Sequence, residues 1–427
     1  MECVDLVEED WAHAEGAIAI VDISSSKYTE MVFGGNYEYF TAVSRMQQEV
    51  LSDGMYNVES ETEELTVGCQ VCASIGHRYE DEHNGGPRLA KIQLHAEYSI
   101  IRGKKSKEKS SFLGKVAKTV SALRNSGGGV LLVHVEGISS EDKCLEYFDE
   151  FVVKTFTNLL EGGELYTDSY ERYFLSDVPK FTDASDVLVV KVNETAGVVT
   201  VDFNTKANND NENLVINSLT LLEVLNKTET NPKDQAILRN LPCNVHTFHE
   251  DRHIQLKGFK DNTEQIQRKQ ADVGKLTDHI WHTLKLKDNI TSMSKLVQGG
   301  SYYLGVNEKK VLTERGYQTK VSDIVGFKLH VNQASLIDNI YRKVETDLCV
   351  LTKHGKFTDA PRNLINIAFH STQRQHFVME VAIRYCDGVV FYDRDGPRSY
   401  ILDEKLNTVR RMNNVEWLEK FRSTHEF

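Results

Sequence analysis

A helix-like stretch that runs into a glycine turn and then a short apolar strand occurs twice in this chain, as NSGGGVLLVHVEG at 125–137 and VQGGSYYLGVNE at 297–308. No other feature narrows the possible folds as far. Glycine supplies the positive φ that reverses the chain between helix and strand. The two turns lie 172 residues apart, Gly127 to Gly299, too far for a solenoid period and about right for two copies of a domain-sized lobe. The second strand ends in Gly-Val-Asn-Glu, which puts the Glu308 carboxylate at a strand end.

The surrounding pattern repeats in the same order. In the first copy a strand at 92–101 precedes a helix at 112–125, where Leu113, Val116, Val120 and Leu123 have helical spacing. After the glycine turn and its strand come a helix at 145–162, strands at 186–192 and 198–203, an Asn-rich loop at 207–213 and a helix at 218–226. In the second copy a strand at 253–259 and a helix at 272–284 lead to the turn. A helix at 332–348, strands at 364–370, 376–385 and 388–393, and a closing helix at 413–423 follow. The predicted class is α/β (α+β), with two tandem lobes at 88–235 and 236–427 behind a strand-rich N-terminal segment, 1–87, that ends in the breaker His83-Asn-Gly-Gly-Pro87.

With 427 residues, a hydrophobic fraction of 40% and only 6 prolines, the chain can bury real cores and is not of disordered type. Seven cysteines follow no framework spacing, and MECVDLVEEDW has no signal pattern, so an intracellular, cytoplasmic, reducing setting is expected. No apolar run is long enough to span a membrane. Net charge is −13, yet residues 1–90 hold 18 acidic against 4 basic residues, leaving 45 acids and 46 bases beyond them. The acidity therefore belongs to the N-terminal segment, which is expected to dock a protein partner. The body carries a basic cluster, Arg102, Lys104, Lys105, Lys107 and Lys109 followed by Lys115 and Lys118, that suits a phosphate backbone. A solvated helix face is the competing explanation.

Several segments resemble the Schlafen family. Leu-Arg-Asn-Ser-Gly-Gly-Gly-Val (123–130) is similar to the signature of its first lobe. His-Glu-Asp-Arg-His-Ile-Gln-Leu-Lys-Gly-Phe (249–259) resembles a segment with two carboxylates five apart, and Gly-Gly-Ser-Tyr-Tyr-Leu-Gly-Val-Asn-Glu (299–308) its glycine-turn strand. The C-terminal VVFYDRDGPRSYILDE and EWLEKF resemble the last strands and Trp-bearing helix. The resemblance covers roughly residues 88–425.

It implies a pseudo-symmetric two-lobed core that cradles RNA in a basic groove, and in active members three carboxylates that hold Mg²⁺ or Mn²⁺ and cut the RNA. A hard cation on carboxylate oxygens polarises the phosphoryl group and lowers the pKa of the attacking water or hydroxyl. Glu250 and Glu308 match the first and third positions. Gln255 stands at the second, where a neutral amide cannot supply charge to the cation. The family's zinc site is matched only by Cys349, His354 and Cys386, since the paired cysteines expected near Asp387-Gly388 are absent. His249 or His253 could serve as a general acid.

The function implied is RNA processing, as a subunit of a metal-dependent endoribonuclease on small structured RNA or small-RNA precursors of the piRNA type. RNA and other Schlafen-like chains are the expected partners. The alternative is a non-catalytic RNA-binding or protein-interaction module that restrains translation or viral RNA. Apart from the resemblance, Cys69-x-x-Cys72 with His77 and His83 has a metal-like spacing. On a strand through 65–75, however, the two thiols would face opposite sides. No Walker loop or GxGxxG is present.

Overall fold

The computed structural model describes residues 69–83, 90–102, 107–138, 170–209, 212–227, 236–238, 255–257, 272–312, 316–324, 326–372, 376–403 and 408–423. The chain divides into two compact units, Met1–Met46 and Gln47–Phe427, and every described residue lies in the second.

Its first half contains helix α1 (Gln70–His83), strand β1 (Ala90–Glu97), helix α2 (Lys107–Asn125), and strands β2 (Gly129–Glu136), β3 (Tyr170–Phe174) and β4 (Val187–Val192). The strands form a sheet in the order β1-β2-β4-β3, with β1 and β2 parallel and the other pairs antiparallel. The α2 crossover allows the parallel pair. β2 is buried on both faces until Glu136, as expected of a strand covered on each side. Leu131, Val133 and Val135 share a core with Phe112, Val116, Val120 and Leu123 of α2. Val130 and Leu132 share one with Ile75 and Tyr79 of α1. Strand β5 (Thr200–Asp202), the hairpin β6 (Lys206–Asn209) and β7 (Glu212–Val215), and helix α3 (Ser218–Asn226) follow.

The second half rebuilds the same sheet. Strand β8 (Gln255–Lys257), helices α4 (Val273–Asp278) and α5 (Leu286–Met293), and strand β9 (Gly300–Leu304) lead into the hairpin β10 (Val306–Leu312) and β11 (Gln318–Ile324). Helix α6 (Gln333–Asp347), β12 (Cys349–Thr352), β13 (Phe357–Asp359), β14 (Ile365–Ser371) and β15 (Phe377–Ile383) come next. The order is β8-β9-β15-β14, with β8 and β9 parallel and the rest antiparallel. Strand order and sense match those of the first sheet position for position. Strands β16 (Gly388–Phe391), β17 (Arg398–Asp403) and β18 (Thr408–Arg411) and helix α7 (Asn414–Arg422) complete the chain.

The glycine turns occupy equivalent places. Gly128 (φ +83) and Gly299 (φ +60) each lie where an added Cβ would strike a carbonyl oxygen of the neighbouring strand, at Val192 or Ile383. Those strand residues pair with Gly129 and Gly300 at the starts of β2 and β9. Both a positive φ and close backbone approach exclude a side chain there.

The halves exchange hairpins. From the first half, β6–β7 reaches α5: the Lys206 N–H donates to Thr291 Oγ1 (3.2 Å), and Asn213 Nδ2 to Asn289 Oδ1 (2.8 Å). From the second, β17–β18 reaches α2: the Tyr400 N–H donates to Ser121 Oγ (3.2 Å), and Asn125 Nδ2 to the Tyr400 carbonyl (2.9 Å). Strand β5 pairs with β17 across the halves. A shared core then joins Phe203, Leu221 and Leu225 to Leu351, Phe391, Trp417 and Phe421.

Most predicted elements are present, with three differences. The segment expected as a strand at 65–75 is helical from Gln70, because buried Cys72, Ile75 and Tyr79 follow helical spacing. The strand expected at 92–101 ends at Glu97 and gives way to a helical turn, Tyr98–Arg102. The loop expected at 207–213 is the exchanged β6–β7 hairpin, whose polar residues find partners on α5. Since α1 packs on the first sheet, the boundary expected at 87 falls inside a packed unit. The helix expected at 145–162 lies outside the described residues. No described helix is long and apolar enough to cross a membrane.

Candidate metal centre

Cys69 sits at the N-terminal edge of α1, where its carbonyl accepts the first helical hydrogen bond from the Ala73 N–H (3.1 Å). Cys72 lies one turn later, so the two thiols share a helix face. That face covers the sheet where β1 and β2 run parallel and in register, with His95 opposite His134. Residues paired in this way project from the same face of the sheet. The helix and the two strands thereby bring Cys69, Cys72, His95 and His134 together, with all four ligand atoms within 4.8 Å of one another.

The individual distances are specific. His134 Nδ1 lies 3.4 Å from Cys69 Sγ, 3.3 Å from Cys72 Sγ and 3.0 Å from His95 Nδ1. Cys72 Sγ lies 3.9 Å from His95 Nδ1. Outside the cluster, His134 Nε2 meets Asp186 Oδ2 at 2.9 Å and His95 Nε2 meets Glu136 Oε2 at 3.2 Å. An ionised carboxylate only accepts, so a neutral imidazole held in this way keeps its proton on Nε2 and leaves Nδ1 as the nitrogen able to ligate. Burial first, then the adjacent Cys69 thiol, pushes the Cys72 thiol up to about 12. Without a cation at its side the buried sulfur stays protonated.

Two thiols and two imidazoles are the soft and borderline donors that zinc takes, and not the oxygen donors of Mg²⁺ or Mn²⁺. His77 and His83, the companions expected from spacing, point elsewhere. His77 is exposed beside Glu80 (3.7 Å), and His83 Nδ1 bonds the Tyr79 carbonyl (2.8 Å). The actual histidines stand in two similar strand sequences, Gln-Leu-His-Ala-Glu and Leu-Val-His-Val-Glu, whose likeness becomes informative only once the strands are paired in parallel.

The other predicted residues are less fully placed. Glu250, His249, His253, Lys104 and Lys105 lie outside the described residues. Gln255 is on β8, its backbone paired with Tyr302, and Glu308 is on β10, paired with Ser322. Arg102 ends the helical turn after β1, while Lys107, Lys109, Lys115 and Lys118 all lie on α2. Lys107, Lys115 and Lys118 fall on one side of that helix by its 3.6-residue period. Lys109 turns away to donate to the Ile101 carbonyl (3.0 Å).

Cys349, His354 and Cys386 do not gather as a metal site. Among the described residues, only the Cys69 group brings three or more His, Cys or acidic ligand atoms into reach. The Cys349 thiol donates to the Asp393 carbonyl (3.3 Å), and Cys386 belongs to a different core. Burial raises them to about 12 and about 11. They are core thiols, of the kind that behave as small hydrophobes.

No protein-family model matches this sequence, and no curated protein matches it.

Proposed function

We propose that this chain is a Schlafen-like RNA-processing protein, acting as the catalytically incomplete subunit of a metal-dependent endoribonuclease. Its substrates would be small structured RNA or piRNA-type precursors, and its partners other Schlafen-like chains. The observation that carries the proposal is the duplicated sheet, with order 1-2-4-3 in each half, a parallel first pair and a glycine turn before the second strand. A pseudo-symmetric pair of lobes is what the resemblance implies. Gln255 at the second carboxylate position favours the incomplete role, because a Mg²⁺ or Mn²⁺ site drawing on Glu250 and Glu308 is one anionic ligand short.

The test is RNA cleavage with Mg²⁺ or Mn²⁺ by the purified chain alone and by its assembled complex. The expected result is no cleavage alone, cleavage by the complex, and little change when Glu250→Ala or Glu308→Ala is built into it. Cleavage by the lone chain that disappears in Glu250→Ala would place the active site here instead.

Lys107, Lys115 and Lys118 along one side of α2 favour a second reading, RNA binding without catalysis in any complex. Reversing Lys104, Lys105 and Lys107 to Glu should then flatten the salt dependence of binding, by about one unit of log–log slope for each phosphate no longer neutralised. An unchanged slope removes this cluster from the RNA face.

A further inference from the structure

We infer that Cys69, Cys72, His95 and His134 bind one zinc ion in a closed tetrahedral site that clamps helix α1 onto the first sheet. The inference does not depend on the RNA-processing proposal. It rests on donor type, donor spacing and the groups behind the donors.

Zinc bonds of about 2.3 Å to sulfur and about 2.0–2.1 Å to nitrogen set tetrahedral ligand separations near 3.3 Å for N–N and 3.5 Å for S–N. The cluster shows 3.0 Å between the two Nδ1 atoms and 3.3, 3.4 and 3.9 Å between sulfur and nitrogen. The carboxylates complete the pattern. Asp186 and Glu136 hold the Nε2–H of each histidine, fixing ring orientation and raising basicity, which is the usual outer shell of a metal-bound imidazole. Four protein ligands leave no open position, so the site is structural and not hydrolytic.

The fold explains what the ion does. α1 rests on the sheet chiefly through Ile75 and Tyr79, beside exposed ion pairs from Arg78 to Asp183 and from Lys180 to Glu82. Exposed pairs of this kind hold little. The two cysteines lie at the N-terminal end of α1 and the two histidines on adjacent strands, so one ion ties that end of the helix to both.

The experiment uses the full chain, purified under reducing conditions. Elemental analysis should find one zinc per chain. Cobalt exchanged into the same protein should give visible d–d bands of a tetrahedral site and near-ultraviolet thiolate charge transfer. Chelation should raise amide hydrogen exchange in 70–83 by a factor of ten or more, and zinc should restore protection. Cys72→Ser and His134→Gln should each abolish stoichiometric zinc. Should either fail to fold, Asp186→Asn keeps all four ligands and is expected to weaken zinc about 10–100-fold. A folded native chain without metal that takes up neither zinc nor cobalt overturns the inference. Full zinc retention in Cys72→Ser, or a Cys69–Cys72 disulfide in protein prepared under reducing conditions, does so as well.

Discussion

Lys295 is buried and has no carboxylate partner among the described residues. Its Nζ donates to Thr205 Oγ1 (2.6 Å), the Lys206 carbonyl (2.7 Å) and the Thr291 carbonyl (2.7 Å), so it ties α5 to the exchanged hairpin. Desolvation pushes it from 10.5 down to about 7. Between pH 7 and 10.5 the unfolded chain therefore binds a proton that the folded chain does not. Stability rises with pH across that window and is flat with respect to this group below it, the reverse of an ion-paired lysine. In urea titrations at pH 7 and 9.5 the native chain should gain stability relative to Lys295→Met, with a slope of up to about 1.4 kcal/mol per pH unit. Parallel pH dependence in the two proteins would show that the lysine stays charged.

Asn125 holds the opposite exchange. Its Nδ2 donates to the Val199 and Tyr400 carbonyls (3.0 and 2.9 Å), and its Oδ1 accepts from the Val199 N–H (2.9 Å). Asn125→Ala leaves buried backbone groups unpaired and should cost on the order of 3 kcal/mol, read from the urea midpoint. A loss within experimental error would mean that water replaces the amide.

Among the elements, the two glycine turns are equivalent by pairing and by steric exclusion. Gly128→Ala and Gly299→Ala should each destabilise by about 2 kcal/mol or more, since each needs a positive φ and abuts a neighbouring strand. Thermal unfolding of both variants checks this, and a neutral result at either would break the equivalence of the halves. Four helices start within one residue of the positions expected for them. Asn217, Asp272, Asn332 and Asn413 each cap a helix by accepting from first-turn N–H groups, and Asn413 with Glu416 forms a capping box. α1 was not legible from its first six residues. The apolar run Val67–Ile75 suits a strand, and helical periodicity emerges only when Tyr79 is counted.

On the scale of the molecule, hairpin exchange makes each half incomplete. Cutting at 235 separates β5 from β17 and Trp417 from Thr200, whose Oγ1 accepts the indole N–H (3.1 Å). The pieces 47–235 and 236–427 expressed singly should lack cooperative unfolding and expose their shared core to a hydrophobic dye. Co-expression should restore a cooperative transition. A cooperative transition in either piece alone would show that the exchange is dispensable. A truncation meant to isolate the acidic segment should stop before Cys69, because removal of residues 1–85 also deletes α1 and two of the four candidate ligands.

By itself the sequence determined the two glycine turns, the strands after them and the helices expected at 112–125, 218–226, 332–348 and 413–423, because these follow from local rules: hydrophobic period and positive-φ glycine. Asn125 was visible there as part of a turn, but not as a bond to Tyr400, 275 residues away. Only the tertiary structure decided which strands pair, and with them the gathering of the four candidate ligands. His95 and His134 lie 39 residues apart and share a face through parallel register, while Cys69 and Cys72 share one through a helix. Spacing along the chain instead pointed to His77 and His83, which are near the cysteines in sequence and turned away from them in space. Ligand sets assembled across a helix–sheet contact depend on packing between distant segments, and that packing has no period in the sequence.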